Sequence, residues 1–177
     1  MSKVTVFGAG AWGSTMAQVL SDAGNDVLLW GRSPDVISEI NTSHTNTKYL
    51  GAHLLPDNLT ATTDLQQAFD FTDKYVLAIP AQQLRTTLQE WKPFFKPAST
   101  IVSTLKGIEI SSQMRMTEVI EDVLGSHKIA IITGPNLADE LVLRQPAGAV
   151  AAAPTIELAE LIRDLFRTPY YRVYTSV

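Results

Sequence analysis

The sequence contains no cysteine. That excludes disulfides, thiolate metal ligands and covalent catalysis by a thiol, and it fits a reducing compartment. Histidine is scarce: His44, His53 and His127 lie far apart in sequence, each reads as a loop or surface residue, and no metal site is expected. Positive charge is not in excess. Fourteen Lys and Arg face 18 Asp and Glu, a formal net charge of −4, so no global basic field draws the chain to nucleic acid or to acidic membranes. No apolar run approaches the roughly 18 residues that a membrane span needs. The N-terminus carries one lysine, Lys3, before an apolar run, Val4–Phe7, that breaks at once into glycine, so it does not read as a signal peptide. Internal repeats and low-complexity tracts are lacking as well.

What remains is a chain of 177 residues, 45% hydrophobic, enough for one domain with a sizeable core. Short β-branched runs at Val4–Phe7, Val27–Trp30, Tyr75–Ile79, Thr100–Ser103, Ile129–Thr133, Ala149–Ala153 and Arg172–Thr175 read as strands. Helical periods fall between most of them: Trp12–Ala23, Pro34–Asn41, Asp64–Phe69, Gln82–Trp91, Met114–Val123 and Ile156–Phe166. This alternation predicts an α/β fold, a mainly parallel sheet with helices on both faces. The longest stretch without a period, Thr42–Leu59, is the length at which loops are often functional. The last residues, Tyr174–Val177, follow a strand with no Gly/Ser linker, the pattern expected at a domain boundary.

The most informative string is Gly8-Ala9-Gly10-Ala11-Trp12-Gly13. A G-x-G-x-x-G alone is weak evidence, but here it follows a strand, opens a helix that stops at Gly24-Asn25, and leads to a second strand. In a dinucleotide unit of this kind Gly8 permits the tight turn, Gly10 lets backbone approach a pyrophosphate, and Gly13 lets the helix pack closely. The helix N-terminus supplies N–H groups for the pyrophosphate. At the end of the second strand, where an acid would hold the ribose 2′-hydroxyl of NAD, stand Trp30-Gly31-Arg32-Ser33-Pro34. Asp26 is at the wrong end of that strand. With no carboxylate to repel a 2′-phosphate, Arg32 and Ser33 are candidates to hold one, which slightly favours NADP over NAD as the cofactor.

Further candidates sit where strands end. In Ser103-Thr104-Leu105-Lys106-Gly107-Ile108-Glu109, Lys106 directs a cation at the crevice. In Thr133-Gly134-Pro135-Asn136-Leu137-Ala138-Asp139-Glu140, Asn136 is expected as a helix N-cap. In Val76-Leu77-Ala78-Ile79-Pro80-Ala81, the proline turns the chain beside the cofactor's nicotinamide end.

Taken together, GAGAWGS at 8–14, LLWGR at 28–32, KYL with LP at 48–56, AIPAQQLR at 78–85, STLKGIE at 103–109 and TGPNLADEL at 133–141 resemble the N-terminal domain of bacterial-type NAD(P)-dependent glycerol-3-phosphate dehydrogenases, over essentially all 177 residues. The resemblance implies a Rossmann-type doubly wound domain spanning 1–177, followed in the family by a helical substrate domain. It implies interconversion of dihydroxyacetone phosphate and sn-glycerol 3-phosphate by hydride transfer, for phospholipid synthesis, in a full-length protein that could be a homodimer. By the same resemblance Gly8, Gly10, Ala11, Trp12, Gly13, Arg32, Ser33, Tyr49, Lys106 and Ala138 would touch the cofactor, and Lys106, Gly134 and Asn136 the substrate. The family's proton-transferring lysine would belong to the other domain. The chain departs from the family pattern at Gly51-Ala52, at Ala81 and at Pro146-Ala147-Gly148. Two other readings compete: a stand-alone dinucleotide-binding redox sensor, and another two-domain reductase of the 3-hydroxyacid or ketopantoate type, against which the STLKGIE and TGPNLADE pair argues.

Overall fold

The computed structural model describes all residues from Met1 to Val177. Eight strands form one sheet: β1 (Lys3–Phe7), β2 (Asp26–Trp30), β3 (Thr60–Thr62), β4 (Lys74–Leu77), β5 (Thr100–Ser103), β6 (Lys128–Thr133), β7 (Ala147–Ala152) and β8 (Tyr171–Ser176). Their spatial order is β3-β2-β1-β4-β5-β6-β7-β8. Every pairing is parallel except β6 with β7, which is antiparallel. The doubly wound, mainly parallel sheet expected from the β-α-β alternation is therefore present. Strand β3 was not foreseen: Thr60-Ala61-Thr62 is too short and too polar to read as a buried run, and its place is set by pairing with Leu28–Trp30.

The helices are α1 (Ala11–Asp22), α2 (Pro34–Ser43), α3 (Thr47–Leu50), α4 (Leu65–Asp70), α5 (Leu84–Trp91), α6 (Met116–Leu124), α7 (Ala138–Val142) and α8 (Ile156–Phe166). They divide by face because strand side chains alternate. Val4 and Val6 of β1, Val76 of β4 and Val102 of β5 pack with α1, α2, α7 and α8. Their neighbours Phe7, Tyr75, Leu77 and Ile101 pack with α4, α5 and α6, around an aromatic group of Trp30, Phe69 and Trp91. Trp30 and Trp91 meet edge to face at 5.0 Å. Within Thr42–Leu59 lie the end of α2 and the single turn α3, fastened by an antiparallel bridge between Thr45 and Leu54.

Strand β1 stands between β2 and β4, so the chain's winding reverses there. In a doubly wound sheet the crevice beyond the carboxyl ends of the strands at this switch point is the ligand site.

Candidate functional site

The glycine loop occupies that crevice. It leaves β1 at Phe7 and is pulled against its neighbours: Gly8 donates to Trp30 O at 2.9 Å, and Ala78 donates to Phe7 O at 2.9 Å. Gly8 has φ +119°, and a Cβ there would lie 2.4 Å from Ala78 O, so both conformation and space require glycine. A Cβ on Gly13 would lie 1.7 Å from Gly8 O, which is why the helix can begin so close to the turn. Gly10 is different: nothing lies within 4 Å of its Cβ position. Helix α1 has Gly10 as its N-cap, no side-chain cap and no acidic residue in its first turn. The N–H groups of Gly10, Ala11, Trp12 and Gly13 find no backbone acceptor. The result is a row of free donors at the positive end of a twelve-residue helix, with open space beside Gly10, a setting that favours an anion.

A cleft of about 870 Å³ runs past this loop. Gly8 to Gly13, Gly31 to Ser33, Tyr49, Ala78 to Ala81 and Thr104 to Lys106 contribute to its walls. Nine of the sequence candidates thus come together: Gly8, Gly10, Ala11, Trp12, Gly13, Arg32, Ser33, Tyr49 and Lys106. Arg32 is exposed and has no carboxylate partner, and Ser33, the N-cap of α2, spends its hydroxyl on no cap bond. Both are free to take a ligand. Gly31, Thr87 and Glu90 are among the lining residues outside the candidate set. Gly31 is required because a Cβ there would meet Ala9 Cβ at 2.5 Å. Thr87 and Glu90 of α5 line the wall near Trp30 and Trp91, and Glu90 is the cleft's one carboxylate, against Arg32 and Lys106. The helical period of α5 could have placed Thr87 and Glu90 on one face, but not which face meets the cleft.

At the other end, Lys106 leaves β5 on a tightly held segment. Thr104 Oγ1 donates to Leu77 O at 2.8 Å, and the Leu105 N–H to Ser103 Oγ at 3.3 Å. Beyond the lysine, Gln82 donates to Ile108 O at 2.8 Å and accepts from the Ile110 N–H at 3.1 Å. Arg85 holds the Glu109 carboxylate in a bidentate pair, at 3.0 Å from Nε to Oε1 and 3.0 Å from Nη2 to Oε2, and also pairs with Asp122. The Arg85 guanidinium, with help from the Ser112 hydroxyl, lowers the Glu109 pKa from its ordinary value. The Lys106 ammonium donates to Asn136 O at 3.3 Å and lies 5.8 Å from the centre of the Trp12 ring. It has no carboxylate partner, so its charge is available to a ligand.

The second candidate loop is built differently. Gly134, Asn136 and Ala138 do not line the cleft. Asn136 is not the N-cap of α7: that position is Leu137, without a side-chain cap bond. The Asn136 side chain turns inward instead, donating to Gly148 O at 3.0 Å and accepting from the Tyr171 hydroxyl at 3.2 Å. Burial pushes the Tyr171 phenol up, so it stays protonated and donates. Gly134 is crowded, with a Cβ position 2.6 Å from Gly148 O and 2.8 Å from Asn136 Oδ1. Ala138 packs against the core. The loop meets the cleft only through the Asn136 carbonyl that holds Lys106. No cluster of three or more His, Cys, Asp or Glu is placed to hold a metal ion, and no helix is long and apolar enough to cross a membrane.

Residues 3–159 match the family model described as the N-terminus of NAD-dependent glycerol-3-phosphate dehydrogenase. The chain is 46% identical to a glycerol-3-phosphate dehydrogenase (NAD(P)+) of Streptomyces avermitilis over 176 residues, which is 98% of this chain and 52% of that protein. Among solved structures it resembles the glycerol-3-phosphate dehydrogenase of Coxiella burnetii, with a TM-score of 0.90 at 26% identity over 98% of this chain and 53% of that one. It also resembles the Saccharomyces cerevisiae glycerol-3-phosphate dehydrogenase, with a TM-score of 0.88 at 28% identity, covering 98% of this chain and 56% of that one. The chain spans about half the length of the curated relatives it matches.

Proposed function

Because the chain belongs to the NAD-dependent glycerol-3-phosphate dehydrogenase family, matching its N-terminal part, we propose that residues 1–177 form the NAD(P)-binding domain of an enzyme that interconverts dihydroxyacetone phosphate and sn-glycerol 3-phosphate. The observation that carries this reading is the row of unpartnered N–H groups from Gly10 to Gly13, on the wall of a cleft long enough to run from Arg32 to Lys106. The residues present suit a dinucleotide. The open space at Gly10 is what a pyrophosphate needs for close approach, and a side chain there would fill it. Arg32 and Ser33 would hold the adenosine end, with a 2′-phosphate preferred because no acid follows β2. Tyr49, Trp12 and Ile79 would wall the cleft toward the nicotinamide.

The bound cofactor would supply the hydride for the ketone carbon, and each hydride requires one proton at the ketone oxygen. Lys106 would hold the substrate. Its ammonium, kept in place by the Asn136 carbonyl and the Trp12 ring, would offset the charge of a phosphate or of the developing alkoxide. We place the proton donor and the rest of the substrate site in a helical domain outside these residues. Gly134, Asn136 and Ala138 would then act by shaping the wall behind Lys106. A role in glycerophospholipid supply, a cytoplasmic location and a homodimeric full-length assembly belong to the same proposal, supported by the family resemblance.

Titration of the chain with NADH and NADPH by fluorescence or calorimetry tests the reading. Both should bind. Binding of neither at millimolar cofactor would remove the dinucleotide function. Arg32→Ala should weaken NADPH more than NADH by ~1.5 kcal/mol, the low end for a hydrogen bond to a charged group, because the guanidinium is exposed. Equal losses would take Arg32 out of the 2′-phosphate site.

A further inference from the structure

Asn46 is completely buried, yet it sits on the loop between α2 and α3, where buried polar side chains need a reason. Its amide nitrogen reaches back 37 residues to donate to Ala9 O at 3.1 Å and contacts Ser14 Oγ at 2.8 Å. Its own oxygen, Oδ1, is buried with no partner. An unmet acceptor is a cost, so the side chain is held for what its nitrogen does. The backbone on either side is fixed by one carboxylate. Glu39 accepts from Thr45 Oγ1 at 2.7 Å, from the Thr47 N–H at 2.8 Å and from Thr47 Oγ1 at 3.1 Å. Asn46 O then accepts the Leu50 N–H at 2.8 Å, starting the turn that carries Tyr49 into the cleft.

We propose that Asn46 is a positioning residue for the dinucleotide's pyrophosphate, acting by fixing the Ala9–Gly10 peptide. In a trans peptide the carbonyl and the following N–H point in opposite directions. Holding Ala9 O toward Asn46 turns the Gly10 N–H away from Asn46, and that N–H finds no acceptor within the protein backbone. Gly8 O is likewise turned inward, against Gly13. The loop therefore offers donors to an anion and hides its acceptors. Without the Asn46 amide the Ala9–Gly10 peptide can rotate, because glycine tolerates either orientation, and a carbonyl oxygen would then face the phosphates. The inference rests on the dinucleotide reading of the cleft and adds to it the side chain that sets the loop's polarity.

The test compares ligands that do and do not reach the loop. ADP and NADH carry the pyrophosphate, whereas 2′-AMP presents its phosphate to the Arg32 end alone. Asn46→Ala and Asn46→Asp should weaken ADP and NADH by about tenfold or more and leave 2′-AMP within about twofold; tenfold is the scale of one lost hydrogen bond. Ser14→Ala, which keeps the Ala9 contact, should change ADP binding by less than about threefold. Equal weakening of all three ligands would mean that Asn46 only supports the fold, and unchanged ADP binding would overturn the proposal. In the unsubstituted chain, the Asn46 side-chain amide should exchange slowly with solvent by NMR, and the Gly10 amide should shift when ADP is added. Fast exchange, or no shift at Gly10 on ADP binding, overturns the proposal without any variant having to fold. An unsubstituted chain that binds neither ADP nor NADH instead refutes the dinucleotide reading.

Discussion

Two loops follow strands of this sheet and carry glycine ahead of a helix, and they use it in opposite ways. In the loop from Gly8 to Gly13, glycine makes room on both sides: the inner positions are pressed against Ala78 and the loop's own backbone, while Gly10 faces nothing. In the loop from Gly134 to Asn136, the space beside the glycine is already filled, by Gly148, Asn136 and Ala149. The first ends in a twelve-residue helix whose leading N–H groups are free. The second ends in a five-residue helix whose last carbonyls, Leu141 O and Val142 O, accept from Gln18 of α1. What distinguishes the cradle is one glycine, Gly10, whose vacated volume belongs to solvent. Where protein fills the vacated volume, the glycine is there for packing.

Closing the cradle should have the greatest consequence. Gly13→Ala puts a Cβ 1.7 Å from the Gly8 carbonyl oxygen, a backbone atom that cannot step aside cheaply. It should cost about 3 kcal/mol or more of stability and abolish NADH binding, checked by thermal melts and titration. Next comes the residue that joins the two loops. In a chain of the relatives' full length, Lys106→Met should lower kcat/KM for dihydroxyacetone phosphate by on the order of 10²–10³ while NADPH affinity falls much less. A change within about threefold would leave Lys106 a surface residue and reopen the sensor reading.

The two open-or-filled glycines then sharpen the contrast directly. Gly134→Ala, with Gly148 O at 2.6 Å, should destabilise by ~1–3 kcal/mol, and the remaining folded protein should bind NADH nearly as before. Gly10→Ala should do the reverse. Its stability should stay within ~0.5 kcal/mol, since nothing lies within 4 Å, while NADH affinity drops about tenfold as the methyl occupies the pyrophosphate's approach. If Gly134→Ala weakens binding more than Gly10→Ala, the roles assigned to the two loops are reversed.

The smallest effect lies outside both loops. Burial lowers the His127 pKa from its ordinary value. The unfolded chain therefore binds the proton more readily than the folded one. Stability from this group is complete above the unfolded pKa and is lost as the pH falls below it toward the folded value. Denaturant melts at a series of pH values should show a slope below about pH 6.5 that His127→Gln reduces. NADH binding at neutral pH should not change.

Much of this was readable in order of residues. Strand, glycine turn, helix and second strand are consecutive, and turn chemistry and side-chain period are local properties, so Val4 to Trp30 could be placed as a dinucleotide unit without any coordinates. The missing acid after β2 and the lysine after β5 were legible for the same reason. Strand β3 was not, because three residues carry no period and pair only once β2 is in place. Nor was the reversal at β7, whose alanine-rich run reads alike in either direction.

The class of fold, the place of the glycine loop in the chain and the kinds of charge on either side of it follow from residues within a turn or two of one another. Tertiary structure alone decided which glycines face solvent and which face protein, that Asn136 points inward to Tyr171, that Glu90 shares a cleft with Arg32, and that Asn46 holds Ala9 from 37 residues away. Those are contacts across the sheet's edge between segments with no local relation, and whether a polar or small residue serves packing or a ligand is settled only by which neighbour the fold brings to it.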